Sequence, residues 1–198
     1  SGNVSLYNET PGAAIPPTPA IGGVGLIPDT AYTADIRIKA SGNLLLVIGA
    51  EQGWLGQSLY QQIITGKLEG APPPVDLDDE LAAGGLVRSL IRQKKVGAVH
   101  DCADGGLLVA VAEMALASRI GVELHSWEGR LPAHAIWFGE DQGRYVLEVA
   151  PSAADDILVR AKAAGLAARV IGRTGGDVLA LPGESALRLA DLDAVHQD

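Results

Sequence analysis

Five prolines fall from residue 11 to residue 28, and they limit what the first thirty residues can form. Proline fixes φ and lacks a backbone N–H, so a regular helix or a central strand is excluded there. No charged side chain occurs between Glu9 and Asp29, while apolar residues are frequent, which argues against a solvated linker. We therefore expect an extended segment over residues 1–30 that packs along a surface, and a regular domain over residues 31–198.

Short apolar runs of strand length alternate with helical patterns from residue 31 onward. The strands are predicted over residues 43–50, 97–102, 135–138, 144–149, 168–171 and 178–181. The helices are predicted over residues 56–64, 76–95, 105–118, 152–165 and 185–196. Because strands and helices alternate, the sequence predicts a layered α/β (α+β) domain.

Capping residues support two of these helices. Asp76 is a suitable N-cap, and acidic residues follow it while basic residues crowd the far end, as the helix dipole favours. Ser152 and Asp155 have the spacing of a capping box, and Gly165 is placed to end that helix.

Charge and cysteine content exclude several classes of protein. With 15 basic and 24 acidic residues the net charge is −9, which argues against nucleic acid as a partner. The single cysteine excludes an internal disulfide and indicates a reducing, cytoplasmic location, and Cys102 itself is expected to be inert core. The longest apolar run, residues 44–50, is too short to span a membrane.

The opening segment SGNVSLYNE concentrates small and polar groups. Gly2 allows a ligand to approach the backbone closely. Asn3 and Asn8 offer amide oxygens to a hard cation such as Mg²⁺, and Ser5 and Glu9 add further oxygens. In an extended segment residues 3, 5, 7 and 9 would share one face. The alternative is a polar, frayed terminus.

A second polar motif, HDCADGG at residues 100–106, lies where a strand ends and a helix begins. Ligands gather at such strand ends in α/β sheets. Asp101 could bind a metal, and the amides of Gly105 and Gly106 could hold phosphate. The alternative makes Asp104 a simple N-cap and His100 a hydrogen-bonded core residue.

The third motif, GEDQGR at residues 139–144, lies between two predicted strands. Glu140, Asp141 and Gln142 could bind a polar ligand, but a charged hairpin turn explains them equally well. The sequence has no phosphate-binding loop of the G-x-x-x-x-G-K-[ST] type, no dinucleotide fingerprint and no zinc-ligand spacing. A self-contained active site is therefore not visible.

Taken in order, the segments SGNVSLYNET, AIPPTPAIGGVGLI, LGQSLY, PPPVDL, HDCADGGLLVAVAEMA, FGEDQGRYV and IGRTGGD resemble the synthetase subunit of phosphoribosylformylglycinamidine synthase. The resemblance covers essentially the whole chain. The family's subunit is several times longer, so the resemblance implies that this chain is its C-terminal portion.

The resemblance implies a fold and a domain division. Residues 1–30 would be the end of an A-type domain and an extended linker. Residues 31–198 would be a B-type domain, a three-layer α/β/α unit similar to the C-terminal domain of aminoimidazole ribonucleotide synthetase.

The resemblance also implies site residues. Gly2 matches a position whose backbone meets ATP, Asn3 a Mg²⁺ ligand, and Ser5 a contact to the ribonucleotide substrate. The family's catalytic histidines lie in the half that this chain lacks, so no catalytic residue is assigned. Pseudo-symmetry implies an auxiliary site with these candidates: Asp101, Asp104, Glu140, Asp141 and Gln142.

The implied parent is an ATP-dependent C–N ligase of purine biosynthesis. It converts formylglycinamide ribonucleotide, glutamine-derived ammonia and ATP to formylglycinamidine ribonucleotide, ADP and phosphate. Its implied partners are the remainder of the subunit, a glutaminase subunit and a small accessory subunit. The isolated chain is expected to be inactive, because a phosphoryl-transfer site must be complete to orient both reactants. The alternatives are another ATP enzyme of the same superfamily and a non-catalytic scaffold.

Overall fold

The computed structural model describes residues 9–10, 12–14, 22–126 and 129–196. The chain divides into two compact units, Ser1–Thr30 and Ala31–Asp198. In the first unit, strands β1 (Glu9–Thr10) and β2 (Ala13–Ala14) pair antiparallel. The opening residues Gly2, Asn3 and Ser5 lie outside the described residues.

The second unit contains helices and strands that alternate along much of the chain. Its strands are β3 (Leu44–Ile48), β4 (Ala98–Asp101), β5 (Val122–Leu124), β6 (Tyr145–Val149), β7 (Ala168–Thr174), β8 (Val178–Ala180) and β9 (Leu187–Arg188). Its helices are α1 (Leu59–Thr65), α2 (Leu77–Arg92), α3 (Gly106–Ser118), α4 (Ala133–Phe138), α5 (Ala154–Ala163) and α6 (Leu189–His196). Short 3-10 turns cover Thr30–Tyr32 and Pro151–Ala153.

These strands form one sheet in the order β4-β6-β3-β7-β5-β8-β9. Neighbouring strands run antiparallel except for β5 and β8, which are parallel. Strands that follow one another along the chain are mostly not neighbours in the sheet. The helices between them often connect parallel strands that have another strand between them, as α5 does for β6 and β7 on either side of β3. The domain is therefore of the mixed α+β kind, with its helices on both faces.

The central strand β3 shows how the sequence builds three layers. Successive side chains of a strand point to opposite faces. Leu45 and Val47 belong to a core cluster that includes residues of α3, α4 and α6. Leu46 and Ile48 belong to a second cluster that includes residues of α2 and α5. Both faces of β3 are thus buried under helices, and the predicted three-layer α/β/α fold is confirmed.

Strand β7 contains a β-bulge part-way along its length. Its pairing with β3 shifts between Leu45 and Leu46, where Gly172 and Val170 are the respective partners, so Ile171 is the extra residue of a β-bulge. Val170 packs against the cluster of α2 and α5, and Ile171 lies in the cluster of α3 and α4. Val170 and Ile171 thus contribute to opposite cores, as successive residues of a strand do.

Several local predictions are wrong. Residues 135–138 form part of helix α4 rather than a strand, so residues 139–144 join a helix to a strand and are not a hairpin turn. The capping box at Ser152 is absent, because Ser152 lies within a 3-10 turn and α5 begins two residues later at Ala154. The final helix is preceded by strand β9, within the range predicted as helical.

Other local predictions are confirmed. The Asp76 side chain accepts the backbone N–H groups of Asp78 and Asp79 at the start of α2, at 3.0 and 3.1 Å. Gly165 has a positive φ of 76° just beyond α5, a conformation that favours glycine. Gly175 and Gly176, in the short connection between β7 and β8, also have positive φ.

Candidate functional site

The loop from Asp101 to Gly106 joins the end of β4 to the start of α3, as the motif predicts. Gly105 and Gly106 both have positive φ, 79° and 70°. A Cβ on Gly106 would lie 2.5 Å from the backbone oxygen of Gly139, so only glycine permits this approach. The glycine pair therefore brings the N-terminus of α3 against the 139–144 turn.

Glu140 uses its carboxylate within the protein. One oxygen, Oε1, accepts the backbone N–H of Gly105 and that of Leu59, each at 2.8 Å. The Glu140 backbone N–H donates to the carbonyl oxygen of Trp54 at 2.9 Å. This single residue thus connects the start of α3, the start of α1 and the loop before α1.

The backbone amides of Gly105 and Gly106 both have hydrogen-bond partners within the protein. The Gly105 N–H is bonded to Glu140, and the Gly106 N–H donates to the carbonyl oxygen of Ala103 at 3.0 Å. The prediction that both amides are free to hold phosphate is therefore wrong. The N-cap of α3 is Gly105 with no side-chain cap, so the alternative prediction of Asp104 as N-cap is also wrong.

Asp141 is buried, with 5% of its surface exposed, and acts as an anchor for residues 52–54. Its Oδ2 accepts the backbone N–H groups of Gln52 and Gly53, and its Oδ1 accepts that of Trp54, all at 3.0 Å. One carboxylate thus satisfies three consecutive backbone donors of this loop.

Arg144 places a buried positive charge behind the turn, with 1% of its surface exposed. Its Nη1 lies 3.3 Å from Oδ2 of Asp141, and its Nη2 lies 3.4 Å from Oε1 of Glu51. Glu51 also pairs with Arg169 at 3.1 Å. Burial lowers the pKa of Arg169, and the neighbouring Glu51 opposes that shift. Two guanidinium groups and two carboxylates thus form a charge-balanced cluster under the site.

Four of the five auxiliary-site candidates line one cleft: Asp101, Asp104, Glu140 and Gln142. Glu80, Arg144 and Tyr145 line the same cleft. Asp141 instead lines a neighbouring cleft beside Asp76 and Asp79. Asp101 and Asp104 are exposed, so they and Gln142 are the candidates whose polar groups can still reach a ligand.

Two titratable side chains of the cleft, Tyr145 and Cys102, have raised pKa values. The Tyr145 hydroxyl donates to Oε1 of Glu80 at 3.1 Å, and burial together with this carboxylate raises its pKa. Burial raises the pKa of the Cys102 thiol to about 11. The thiol therefore stays protonated near neutral pH, in keeping with the prediction that Cys102 is inert core.

His100 bonds to the acidic side chains on either side of it. Within residues 22–126 and 129–196, no three histidine, cysteine or acidic side chains cluster as a metal site. The Asp101 carboxylate lies 3.3 Å from Nδ1 of His100, whose Nε2 lies 2.8 Å from Glu113. His100 thus has the hydrogen-bonded role that the alternative prediction gave it.

Sequence reasoning missed Glu51, Glu80 and Arg144 as parts of this region. Glu51 and Glu80 lie 93 and 65 residues from their partners Arg144 and Tyr145, so no local spacing relates them. Arg144 could have been singled out, because it directly follows the acidic turn and opens a predicted buried strand.

Comparison with known proteins gives the family. Residues 40–181 match the family described as AIR synthase related protein, C-terminal domain. The chain belongs to this family. Among the described residues of this family member, no helix has the length and apolar character needed to cross a membrane.

Curated relatives are similar over nearly the whole chain. The PurL subunit of phosphoribosylformylglycinamidine synthase from Methylocella silvestris is 52% identical over 194 residues, which are 98% of this chain and 26% of the relative. The PurL subunit from Rhodopseudomonas palustris strain BisB5 is 51% identical over 197 residues, 100% of this chain and 27% of the relative. The chain therefore spans about a quarter of the length of these relatives. The resemblance predicted from the motifs is confirmed.

Solved structures show the same fold at low sequence identity. Thermotoga maritima PurL complexed with FGAR has a TM-score of 0.69 at 16% identity, covering 82% of this chain and 30% of that one. Thermotoga maritima PurL complexed with ATP has a TM-score of 0.64 at 16% identity, covering 81% and 27%. The structure of PurLQS from the same organism has a TM-score of 0.64 at 16% identity, with coverage of 81% and 27%.

Proposed function

We propose that this chain forms the C-terminal part of the synthetase subunit of phosphoribosylformylglycinamidine synthase. The complete enzyme would convert formylglycinamide ribonucleotide, glutamine-derived ammonia and ATP to formylglycinamidine ribonucleotide, ADP and phosphate. The observation that carries the proposal is the 52% identity to a PurL subunit over 98% of this chain. Identity at this level over the whole chain favours PurL over the other ATP enzymes of the superfamily.

Within that enzyme we assign the nucleotide contacts to the opening motif. The backbone of Gly2 would meet ATP, the Asn3 amide oxygen would hold Mg²⁺, and the Ser5 hydroxyl would contact the ribonucleotide. Amide and hydroxyl oxygens are hard donors of the kind that Mg²⁺ accepts. When bound, Mg²⁺ would neutralise the charge that develops during phosphoryl transfer. This chain supplies no catalytic residue, so the isolated chain would be inactive.

The auxiliary site divides into two kinds of residue under this proposal. Glu140 and Asp141 hold the surrounding loops, because their carboxylates accept five backbone N–H groups between them. Asp101, Asp104 and Gln142 remain the proposed ligand contacts. The structural use of both carboxylates favours a scaffold role for this half of the enzyme as a second candidate function.

Partners and location follow from the same proposal. The remainder of the synthetase subunit, a glutaminase subunit and a small accessory subunit would be the partners. The PurLQS structure of Thermotoga maritima supports an assembly of this kind. We propose a cytoplasmic location, because the single cysteine suits a reducing compartment.

A chimeric enzyme tests the proposal directly. This chain would replace the 52%-identical region of Methylocella silvestris PurL, and ATP-dependent formation of formylglycinamidine ribonucleotide would be assayed with ammonia. We expect an active chimera whose activity falls at least tenfold, with a raised Mg²⁺ requirement, in the Asn3→Ala variant. Asn8→Ala is the matched comparison, because it removes the other amide of the motif and the resemblance assigns Mg²⁺ to Asn3 alone. An active chimera that tolerates Asn3→Ala would favour the scaffold function, and an inactive one would contradict the proposal.

A further inference from the structure

Residues 54–71, which we call the arm, form a closed excursion from the sheet. Its two ends are joined, because the indole N–H of Trp54 donates to the carbonyl oxygen of Ala71 at 2.9 Å. Gln57 bonds to the carbonyl oxygens of Glu69 and Gly70 at 3.2 and 2.9 Å. A compact loop with its ends together is a frequent carrier of function.

The arm is also fixed to its own domain. The ring of Tyr60 stacks on those of Phe138 and His134, with centroids 5.1 and 5.7 Å apart. The Leu59 N–H is held by Glu140. The backbone of the arm is therefore ordered in advance of any contact that its outer surface makes.

Apolar side chains occupy that outer surface. Ile63 is 72% exposed, Ile64 is 65% exposed and Leu68 is 49% exposed. Helix α1 contains no buried residue, so its apolar side chains contribute little to the core of this domain. Charge is sparse here, with Lys67 and Glu69 paired to each other at 3.5 Å. A rigid apolar surface of this kind marks an interaction site.

We propose that the arm is a docking surface for another part of the same, longer synthetase polypeptide. The curated relatives match 98–100% of this chain and are about four times its length, so most of their polypeptide lies outside the matched region. Isoleucine and leucine side chains suit permanent contacts, because obligate interfaces are more apolar than those of partners that dissociate. The inference rests on the proposed function, since it requires that longer polypeptide.

Hydrogen exchange at the arm tests the inference. Amide exchange over residues 59–68 would be compared between the 198-residue chain and the chimera with Methylocella silvestris PurL. We expect at least tenfold slower exchange in the chimera, with no comparable change over α5. Ile63→Ser with Ile64→Ser should abolish that added protection. Val159→Ser with Val195→Ser is the matched control, because those valines are 67% and 77% exposed on other helices.

Three results would overturn the inference. Equal exchange in chain and chimera would show that nothing in the longer polypeptide covers the arm. Protection in the isolated chain that grows with its concentration would identify a second copy as the occupant. Protection of the chimera only after separate subunits are added would identify one of those subunits as the partner that covers the arm. Amidine formation by the same chimera is assayed independently, so an inactive chimera with a protected arm contradicts the proposed function alone.

Discussion

The Oε1 atom of Glu140 accepts the backbone N–H of Gly105 at 2.8 Å, at the N-terminus of α3. The same atom accepts the Leu59 N–H at the first residue of α1. The negative charge of a carboxylate is favourable near the start of a helix. An external phosphate would have to displace this internal group to reach the same amide of the HDCADGG motif.

Removing that carboxylate should destabilise the domain. We expect Glu140→Ala to lower the free energy of unfolding by about 2 kcal/mol, because two backbone donors lose a charged acceptor. Glu140→Gln keeps an acceptor oxygen and should lose less. Gln142→Ala is the control on the same turn, and its exposed side chain predicts a change within about 0.5 kcal/mol. Urea unfolding measures all three, and equal values for Glu140→Ala and Gln142→Ala would contradict the assigned role.

Substitution of Asp141 should destabilise the domain more than substitution of Glu140, because it also removes a charged partner of the buried Arg144. In Asp141→Asn, Arg144 keeps only Glu51 as a charged partner within the described residues. Breaking a buried ion pair from one side costs about 3 kcal/mol or more, and we expect a loss of that size. Asp104→Asn removes the same charge from an exposed position and should change stability little. Denaturant midpoints compare the two variants, and the ranking would be wrong if they coincided.

Gly97→Ala and Gly85→Ala are matched substitutions that should change the stability of the protein in opposite directions. A Cβ on Gly97 would fall on the Glu148 carboxylate, which is buried and holds the backbone N–H groups of Lys39 and Ala40. Gly97→Ala should therefore cost about 2 kcal/mol or more.

Gly85 lies inside α2, and nothing stands within 4 Å of a Cβ placed there. Gly85→Ala should stabilise the protein by up to about 1 kcal/mol, because alanine restricts the unfolded chain and favours the helix. Thermal unfolding distinguishes the two directions. A Gly97→Ala variant as stable as the wild type would refute the contact assigned to Gly97, and a destabilised Gly85→Ala variant would refute the open space at Gly85.

Cys102 should make stability fall at alkaline pH. Its folded-state pKa of about 11 lies above the value of about 8.5 for a free thiol, so the folded state binds the thiol proton more tightly. The contribution is fully present below about pH 8.5 and is lost as the pH rises towards 11. The stability difference between wild type and Cys102→Ala, measured in reductant, should shrink across that window. A difference that stays constant to pH 11 would contradict the shifted pKa.

Part of the fold could be predicted because its signals are local. The run NLLLVIGA is short, apolar and buried on both faces, and it forms β3. Asp76 caps α2 through donors two and three residues away. Helix α4 was missed because four apolar residues fit a strand or a buried helix equally well. Ile136 and Trp137 pack into the core as helical residues, and only tertiary structure decides this.

The HDCADGG and GEDQGR motifs lie next to β4 and β6 as the sequence indicated, but the internal partners of their side chains were not predictable. Asp141 bonds to amides 87 to 89 residues away, and Glu140 to amides 35 and 81 residues away. A turn rich in acidic residues looks the same in sequence whether it faces solvent, a ligand or backbone donors. The distinction depends on which loops the sheet order β4-β6-β3 brings together.

The closure of the arm at Trp54 and Ala71 has a practical meaning for engineering. The indole of Trp54 already touches Ala71, so a short turn could bridge these two loop positions in place of the intervening segment. The shortened chain would lose the exposed isoleucines of α1. It would also lose the Leu59 amide bound by Glu140 and the Tyr60 ring stacked on Phe138, so the excision would exchange an apolar surface for missing internal contacts.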